Sequence, residues 1–231
     1  PSIDRDFAII LHAWAVHPGT YRPDPAVMLD FNMFTFNSKV FPAIDPLVVR
    51  TGDRVRIRLA NLSMDEHPIH IHGHSMWVTA TDGGKIPPSA RWPETTALIP
   101  VGATRDVEFI ADAPGDWAFH CHKSHHTMNA MGHAIPNTLG ANQQQLEERI
   151  RELIPGYMAM GETDMAEHSE HIKHMGGPRN TLPMMMGKGL FGNIEMGGMF
   201  TVIKIRDHLA SYDRDPGWYK HPEGTVAYRL T

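Results

Sequence analysis

Two short segments of the sequence concentrate side chains that bind metal ions. The first holds four histidines within eight residues: His67, His70, His72 and His74. The second, 120–131, holds four more histidines, the only cysteine and two methionines, of which the candidate ligands are His120, Cys121, His122, His126 and Met131. Imidazole, thiolate and thioether groups together favour copper over zinc or magnesium. The residue types therefore predict a copper site before any fold is considered.

The alternation of side chains along a strand divides these residues between two faces. In a strand over residues 69–72, the two histidines point to one side and the two isoleucines to the other. His120 and His122 likewise share one side, while Cys121 points to the opposite side. His67 falls on the isoleucine side if the strand extends that far. Two neighbouring strands would thus present two separate metal environments, back to back.

Each face predicts a different copper environment. On one face, His67 and Cys121 come together, with His126 and Met131 on the following loop. Two histidines and a thiolate, with a weak axial methionine, form a blue-copper electron-transfer site. On the other face lie four imidazoles without a carboxylate, which suits a copper cluster: His70, His72, His120 and His122. Because Cys121 is bonded through the backbone to both neighbouring histidines, an electron at the thiolate has a covalent path to that cluster.

Three residues near these motifs leave alternatives open. Met128 is the alternative axial thioether, although packing is the simpler role for it. His125 competes with His126 only if the loop changes register. His74 follows Gly73, which breaks the strand alternation, so we do not include it among the ligands.

The motifs HPIHIHGH (67–74) and HCHKSHHTMNAM (120–131) resemble those of multicopper oxidases, a family that includes laccases and copper-resistance oxidases. The resemblance covers most of residues 27–132 and resumes around 197–206. It implies a type 1 copper held by His67, Cys121, His126 and Met131. It further implies a type 2 copper at His70 and a type 3 pair bound by His72, His120 and His122.

The same resemblance implies an activity. The family oxidises its substrate one electron at a time at the type 1 copper, and reduces O₂ to two waters at the trinuclear cluster. Cys121, His120 and His122 would be the catalytic residues that carry electrons between the two sites. A copper-loaded protein of this kind is blue, with strong absorption at about 600 nm from the copper–thiolate bond. Phenols, Cu(I) and Mn(II) all remain open as the reductant.

Two departures from the family pattern affect what the chain can do. The family's trinuclear cluster needs eight histidines, and this chain shows four, so a partner cupredoxin domain or another subunit must supply the rest. The start at Pro1 is what we expect of a processed chain or a part of a longer one. Many bacterial relatives carry an acid directly after the type 1 histidine, where this chain has Thr127.

The resemblance also implies a location: we expect the protein to be periplasmic or secreted.

The elements that must position these residues are predicted to be strands. Segments rich in β-branched and aromatic residues alternate with proline and glycine: 27–36, 47–59, 76–80 and 105–110. In GDRVRIRL, strict alternation places Val55, Ile57 and Leu59 on one face and three arginines on the other. We predict an all-β, cupredoxin-like Greek-key β-sandwich with a helix-containing, Met-rich insertion.

The predicted organisation is one domain with an insertion and a tail. The cupredoxin domain covers 1–206, with the insertion at about 133–195 and a closing strand at 199–206. The tail, 207–231, is expected to wrap the surface. Within the insertion, 142–154 predicts an amphipathic helix. His168, His171 and Met175 share a helical face, and thioethers prefer Cu(I). The resemblance implies that such an insertion feeds Cu(I) to the type 1 site; the plainer interpretation is methionine filling packing gaps.

Composition excludes several other classes of protein. The net charge of −5 disfavours a nucleic-acid or anionic-membrane surface, and one cysteine excludes an intrachain disulfide. No apolar run is long enough to span a membrane. Three rival functions remain: a simple electron-transfer cupredoxin, a copper nitrite reductase, and a non-catalytic copper-storage or delivery protein that uses the Met/His-rich insertion. The first needs no histidines on both sides of the cysteine, and the second has a histidine on one side only.

Overall fold

Two β-sheets packed face to face carry the metal-ligand motifs. The computed structural model describes residues 2–16, 22–29, 31–128, 187–194 and 196–227, together with Arg149 and Glu152. In chain order the strands are β1 (Arg5–Trp14), β2 (Met33–Phe36), β3 (Leu47–Arg50), β4 (Arg54–Asn61), β5 (His67–Ile71), β6 (Met76–Thr81), β7 (Gly84–Lys85), β8 (Trp92–Glu94), β9 (Thr96–Ile99), β10 (Thr104–Ile110), β11 (Gly115–Cys121), β12 (Gly187–Gly189), β13 (Gly192–Ile194) and β14 (Phe200–Arg206). A short helix, α1 (Ser124–Met128), follows β11, and a 3₁₀ turn (Pro88–Ala90) precedes β8.

Twelve of the fourteen described strands form a seven-stranded and a five-stranded sheet, and β12 and β13 pair with each other. The first has the order β2-β1-β4-β10-β6-β7, with β8 also paired to β6, and the second has the order β3-β14-β11-β5-β9. The pairs β1–β4 and β3–β14 are parallel, and the other pairs within these two sheets are antiparallel. The predicted all-β sandwich is confirmed.

The alternation predicted for GDRVRIRL is confirmed in β4. Val55, Ile57 and Leu59 are buried between the sheets. On the opposite face, Arg54 pairs with Glu108 of β10, and the next two arginines pair with Asp6 of β1. One face of β4 therefore builds the core while the other carries a ladder of ion pairs between strands.

Two of the predicted strand segments are interrupted in the structure. The segment 47–59 divides at Gly52, whose φ of +91° permits the turn that sends β3 and β4 into different sheets. In the segment 27–36, only Met33–Phe36 pairs as a strand, and Leu29 is largely exposed. Side-chain propensity alone does not determine these breaks, because the pairing partner decides where a strand ends.

The five-stranded sheet brings the two motifs side by side. Strand β5 begins at His67 and β11 ends at Cys121, and the two strands are antiparallel. Their register places His120 opposite His70 and Cys121 opposite Ile69. Strand β14 lies on the other side of β11, so the closing strand also borders the site.

The part of the tail that the structure describes packs along the outside of the sandwich. The Tyr212 hydroxyl donates a hydrogen bond to the Asp53 carboxylate, and the Arg5 guanidinium lies 4.4 Å from the Tyr212 ring centroid. Further along, Lys204 lies over the Trp218 ring. Most of the insertion, including His168, His171 and Met175, lies outside the described residues. Of the predicted helix 142–154, only Arg149 and Glu152 are described, and both are helical.

Candidate metal centre

The inner face of the five-stranded sheet gathers three metal-binding atoms at one end of the core. His67 from β5, Cys121 from β11 and His126 from α1 are each fully buried. The Cys121 Sγ lies 3.8 Å from the His67 Nδ1 and 3.6 Å from the His126 Nδ1. The two Nδ1 atoms lie 3.1 Å apart. Two imidazole nitrogens and a sulfur thus face one another in a closed triangle, which we call the inner cluster.

The dimensions of the inner cluster fit a metal ion. The point equidistant from the three atoms lies about 2 Å from each, which is the length of an imidazole–metal bond. Two nitrogens and one sulfur in this arrangement match the trigonal donor set of blue-copper sites. The residues present therefore fit copper, with Met131, the predicted axial ligand, outside the described residues. Met128, at the end of α1, is buried.

Burial holds the three groups of the inner cluster in their uncharged forms. It lowers the pKa of His67 to about 4 and that of His126 to about 2. It raises the pKa of the Cys121 thiol to about 12. Without a metal ion, the imidazoles are neutral at pH 7 and available as ligands, whereas the thiol keeps its proton. Metal binding must therefore displace that proton, because the thiolate is the ligand form.

The outer face of the same two strands carries a second group of histidines. Ligand nitrogens of His70, His72 and His120 lie within 4.8 Å of one another. The His122 ring stacks on that of His120, with centroids 5.6 Å apart, and lies 4.8 Å from the His70 ring centroid. We call these four residues the outer cluster. Burial is the largest cause of the lowered pKa values of His70, His72 and His120, the last to about 4.

The Cys121 backbone links the two clusters. The Cys121 carbonyl accepts a hydrogen bond from the His120 Nδ1 at 2.8 Å, in addition to the peptide bond between the two residues. That hydrogen bond leaves the His120 Nε2 free to face the outer cluster, 3.1 Å from the His72 Nε2. The same carbonyl accepts a hydrogen bond from the Thr127 hydroxyl. Thr127 thus ties α1 to the end of β11.

Packing around His126 involves residues that the motifs do not contain. The Phe34 ring from β2 stacks on the His126 ring, with centroids 3.9 Å apart. The Gly198 and Met199 amides donate hydrogen bonds to the Thr127 and His126 carbonyls at 2.8 and 2.9 Å. A Cβ at Gly198 would lie 2.3 Å from the His126 carbonyl oxygen. Sequence reasoning missed these residues, since nothing local marks them; the glycine pair before the closing strand is the nearest signal.

Two polar residues before the first motif also support the site. Asn61 and Ser63 are buried, and the Ser63 Oγ lies 2.7 Å from the His67 Nε2. The signal available in the sequence was a pair of small polar residues ending a strand shortly before a predicted ligand. At the surface, Glu66 and Lys123 form an ion pair of 2.5 Å between the two ligand-bearing segments.

His74 lies apart from both clusters. Its ring packs against Phe109 and Trp117, and its Nε2 lies 3.4 Å from the Asp112 carboxylate. Gly73 has a φ of +73° and lies against the Trp117 ring, which would collide with a Cβ at that position. The break in alternation at Gly73 thus turns His74 into the packed interior.

Comparison with known proteins identifies the family of the chain. The model of the multicopper oxidase family matches residues 17–139, which is more than half of the chain. The chain belongs to the multicopper oxidase family. Multicopper oxidases use copper, and the His and Cys groups of the inner and outer clusters are candidate copper ligands.

Curated multicopper oxidase relatives match the part of the chain that carries the motifs. The multicopper oxidase MmcO of Mycobacterium tuberculosis is 37% identical over 118 residues, 48% of this chain and 22% of that protein. Copper resistance protein A of Pseudomonas syringae pv. tomato is 39% identical over 93 residues, 40% of this chain and 14% of that protein. The chain thus matches less than a quarter of the length of these relatives.

A solved multicopper oxidase shares the fold. The structure titled multicopper oxidase mgLAC superposes with a TM-score of 0.53 at 22% identity, covering 90% of this chain and 46% of that one. The predicted cupredoxin-like sandwich is confirmed. No helix among the described residues is long and apolar enough to cross a membrane.

Proposed function

We propose that this chain is the type 1 copper domain of a multicopper oxidase, which couples one-electron oxidation of a substrate to reduction of O₂ to water. One observation carries the proposal. Cys121 faces the inner cluster, while the residues on either side of it, His120 and His122, face the outer cluster. The tripeptide 120–122, at the end of β11, therefore joins the two sets of ligands.

The roles of the inner residues follow from their burial. His67, Cys121, His126 and Met131 would hold the type 1 copper, which supplies a centre that accepts and releases one electron at a time. The Phe34 ring covers one face of the His126 imidazole and helps to exclude water from the cluster. The short α1 helix, tied to β11 by Thr127 and to the closing strand by Gly198, fixes the position of His126.

The outer residues would bind half of the trinuclear cluster. We assign His70 to the type 2 copper and His72, His120 and His122 to the type 3 pair. The Thr96 hydroxyl lies 2.7 Å from the His70 Nδ1, and this contact orients the His70 ring. The hydrogen bond from the His120 Nδ1 to the Cys121 carbonyl supports a short connection between the two sites.

The outer cluster is incomplete in the described part of the chain. His72 and His122 are exposed, and His70 and His120 are only half-buried. We infer that a partner cupredoxin domain or another subunit packs on this face and supplies four further histidines. The protons that O₂ reduction consumes must come from an acid on that partner or from water, because the Thr127 side chain is not an acid and its hydroxyl donates to the Cys121 carbonyl.

Substitution of single ligands in the copper-loaded holoprotein tests the proposal. Cys121→Ser removes the thiolate, and we expect it to abolish both the blue absorption band and oxidase activity. His122→Ala is expected to keep the blue band and lose O₂ consumption, because the outer cluster alone is damaged. A Cys121→Ser protein that kept its blue band and activity would contradict the assignment, as would a fully active His122→Ala protein.

Two of the rival functions, the electron-transfer cupredoxin and the copper nitrite reductase, make different predictions for the same variants. A simple electron-transfer cupredoxin has no use for the outer cluster, so His70→Ala and His122→Ala would leave its copper content and electron transfer unchanged. A copper nitrite reductase places a histidine on one side of its cysteine only, whereas His120 and His122 lie on both sides here. Copper content per chain, measured with O₂ and nitrite consumption, separates the three.

The location of the protein is part of the same proposal. We place it in the periplasm or outside the cell, and the relative named copper resistance protein A supports a role in copper handling there. Fractionation of the source cells, followed by detection of the chain, tests this placement. Recovery of the chain in the cytoplasm alone would contradict it.

A further inference from the structure

A buried hydrogen-bonded group lies behind His67, on the side of the ring away from the inner cluster. It consists of Asn61 at the end of β4 and Ser63 in the connection to β5, which are 1% and 7% exposed. The Ser63 Oγ lies 2.7 Å from the His67 Nε2. The other ring nitrogen, Nδ1, points at Cys121 and His126. A proton on one ring nitrogen therefore decides whether the other is available to a metal.

The backbone fixes the orientation of the Asn61 amide. The Ser63 N–H donates to the Asn61 Oδ1 at 2.9 Å, and a backbone N–H has no capacity to accept. The Asn61 Nδ2 donates to the Asp65 and Ile99 carbonyls at 2.7 and 3.0 Å, and a carbonyl has no capacity to donate. Reversing the amide would break all three bonds, so the oxygen faces Ser63.

The Asn61 oxygen in turn determines where the Ser63 proton lies. The Ser63 Oγ is 2.8 Å from the Asn61 Oδ1 and 2.9 Å from the Asp65 carbonyl oxygen, and both atoms only accept. The hydroxyl proton must point toward one of them, since otherwise three oxygens would meet without a proton between them. The Ser63 Oγ therefore accepts from His67, and the proton of the neutral imidazole is on Nε2.

We propose that Ser63, oriented by Asn61, is a positioning residue that holds His67 in the Nε2-protonated tautomer and presents its Nδ1 lone pair to the metal. This inference rests on the proposed copper site only for the identity of the metal. Groups that hydrogen-bond the distal nitrogen of a histidine ligand commonly fix its tautomer and ring orientation. Here the tautomer follows from an unbroken series of donors and acceptors that begins at a backbone amide.

The first test determines the tautomer of His67 in the metal-free chain. In a long-range ¹H–¹⁵N correlation spectrum of the metal-free chain at pH 7, the unsubstituted protein should show His67 protonated at Nε2. Ser63→Thr keeps the hydroxyl and should keep that tautomer, whereas Ser63→Ala should show a mixture or the Nδ1-protonated form. An Nδ1-protonated His67 in the unsubstituted chain overturns the proposal even if no variant folds. So does a Ser63→Ala protein with the unsubstituted spectrum.

The second test measures binding of Cu(I) alone by competition with a chromogenic chelator. We expect Ser63→Ala to weaken Cu(I) binding by about 10–100-fold and Ser63→Thr to stay close to the unsubstituted chain. Ser89→Ala removes an exposed serine from the 3₁₀ turn and is the matched control. Unchanged Cu(I) affinity in Ser63→Ala would overturn the positioning role. Because neither readout involves O₂, failure of the oxidase proposal and failure of this one are distinguishable.

Discussion

At the scale of single residues, burial determines the protonation states of the side chains in the inner cluster. Burial removes water from the side chains of His67, Cys121 and His126, and this disfavours the charged form of each one. The imidazoles stay neutral and the thiol stays protonated. As a result, the stability of the metal-free protein depends on pH.

Acid should destabilise the metal-free chain well before its carboxylates are protonated. The ordinary histidine pKa is 6.5, whereas burial lowers that of His67 to about 4 and that of His126 to about 2. Below pH 6.5 these histidines become protonated in the unfolded chain but stay neutral in the folded chain. The free energy of unfolding therefore falls as the pH decreases. Each such histidine contributes a slope of at most about 1.4 kcal/mol per pH unit. Urea denaturation at several pH values from about 4 to about 7 measures this slope.

Histidine variants show whether this pH dependence arises at the inner cluster. His126→Gln should flatten the dependence, while His208→Gln, which removes an exposed histidine, should leave it unchanged. A stability that is constant across this range in the unsubstituted chain would contradict the pKa directions. The Cys121 thiol has the opposite sign, because its raised pKa lowers stability as the pH rises above the ordinary thiol value of 9.0.

The stacked ring of Phe34 should matter for the spectrum as well as for stability. Phe34→Ala removes a buried ring and is expected to lower the free energy of unfolding by about 3–5 kcal/mol. Phe34→Leu retains apolar volume but not the planar contact with His126 at 3.9 Å. We therefore expect Phe34→Leu to fold, to bind copper, and to show a shifted or broadened blue band in the absorption spectrum. An unchanged band would mean that stacking does not restrain His126.

At the scale of elements, the site depends on how closely α1 approaches the start of β14. The Gly198 and Met199 amides donate to carbonyls of α1, and the Cys121 amide donates to the Met199 carbonyl at 3.0 Å. One short segment of chain thus holds the ends of both β11 and α1. Because the contact is between backbones, the absence of a side chain at Gly198 is what permits it.

A single methyl group at Gly198 should test this contact. In Gly198→Ala, the Cβ would meet the His126 carbonyl oxygen at 2.3 Å, so α1 or β14 must move. We expect a loss of about 1–3 kcal/mol in the free energy of unfolding, together with weaker Cu(I) binding. Gly84→Ala, on the exposed β7 strand, has a nearest contact of 3.3 Å and serves as the control. Equal stability losses in the two variants would argue against a special role for the contact.

At the scale of the whole molecule, the described residues enclose the two clusters to different degrees. The inner cluster is enclosed by residues of this chain, whereas the outer cluster presents imidazoles at a surface. We expect the purified chain to bind one copper tightly through the inner cluster and to bind further copper weakly. Elemental analysis after dialysis against a weak chelator measures the ratio. Several tightly held coppers per chain would contradict an outer cluster that needs a partner.

The Met-rich insertion offers a separate test at this scale. Deletion of 157–186 removes all of its methionines and leaves the β12–β13 hairpin, whose Ile194 packs near Trp218. If the protein is an oxidase, the deleted holoprotein should still oxidise phenols and should lose activity mainly toward Cu(I). A copper-storage protein would instead lose most of its bound metal, which copper analysis of the same variant detects.

The sequence by itself determined on which face of the strands each candidate ligand lies. Side chains along a strand alternate with a period of two, so the spacing in 67–72 and 120–122 separates the two faces without reference to any partner. The same periodicity predicted the buried face of β4. Such inferences succeed because they depend on residues that are close together in the chain.

Only the tertiary structure decided what surrounds those residues. It brought Phe34 from the other sheet onto His126, closed Gly198 against α1, and placed Ser63 behind His67. It also divided 47–59 between two sheets and turned His74 into the core. These features depend on strand pairing and backbone contacts between residues that are distant in sequence. Local pattern carries little information about such contacts, because it does not specify which distant segments become neighbours.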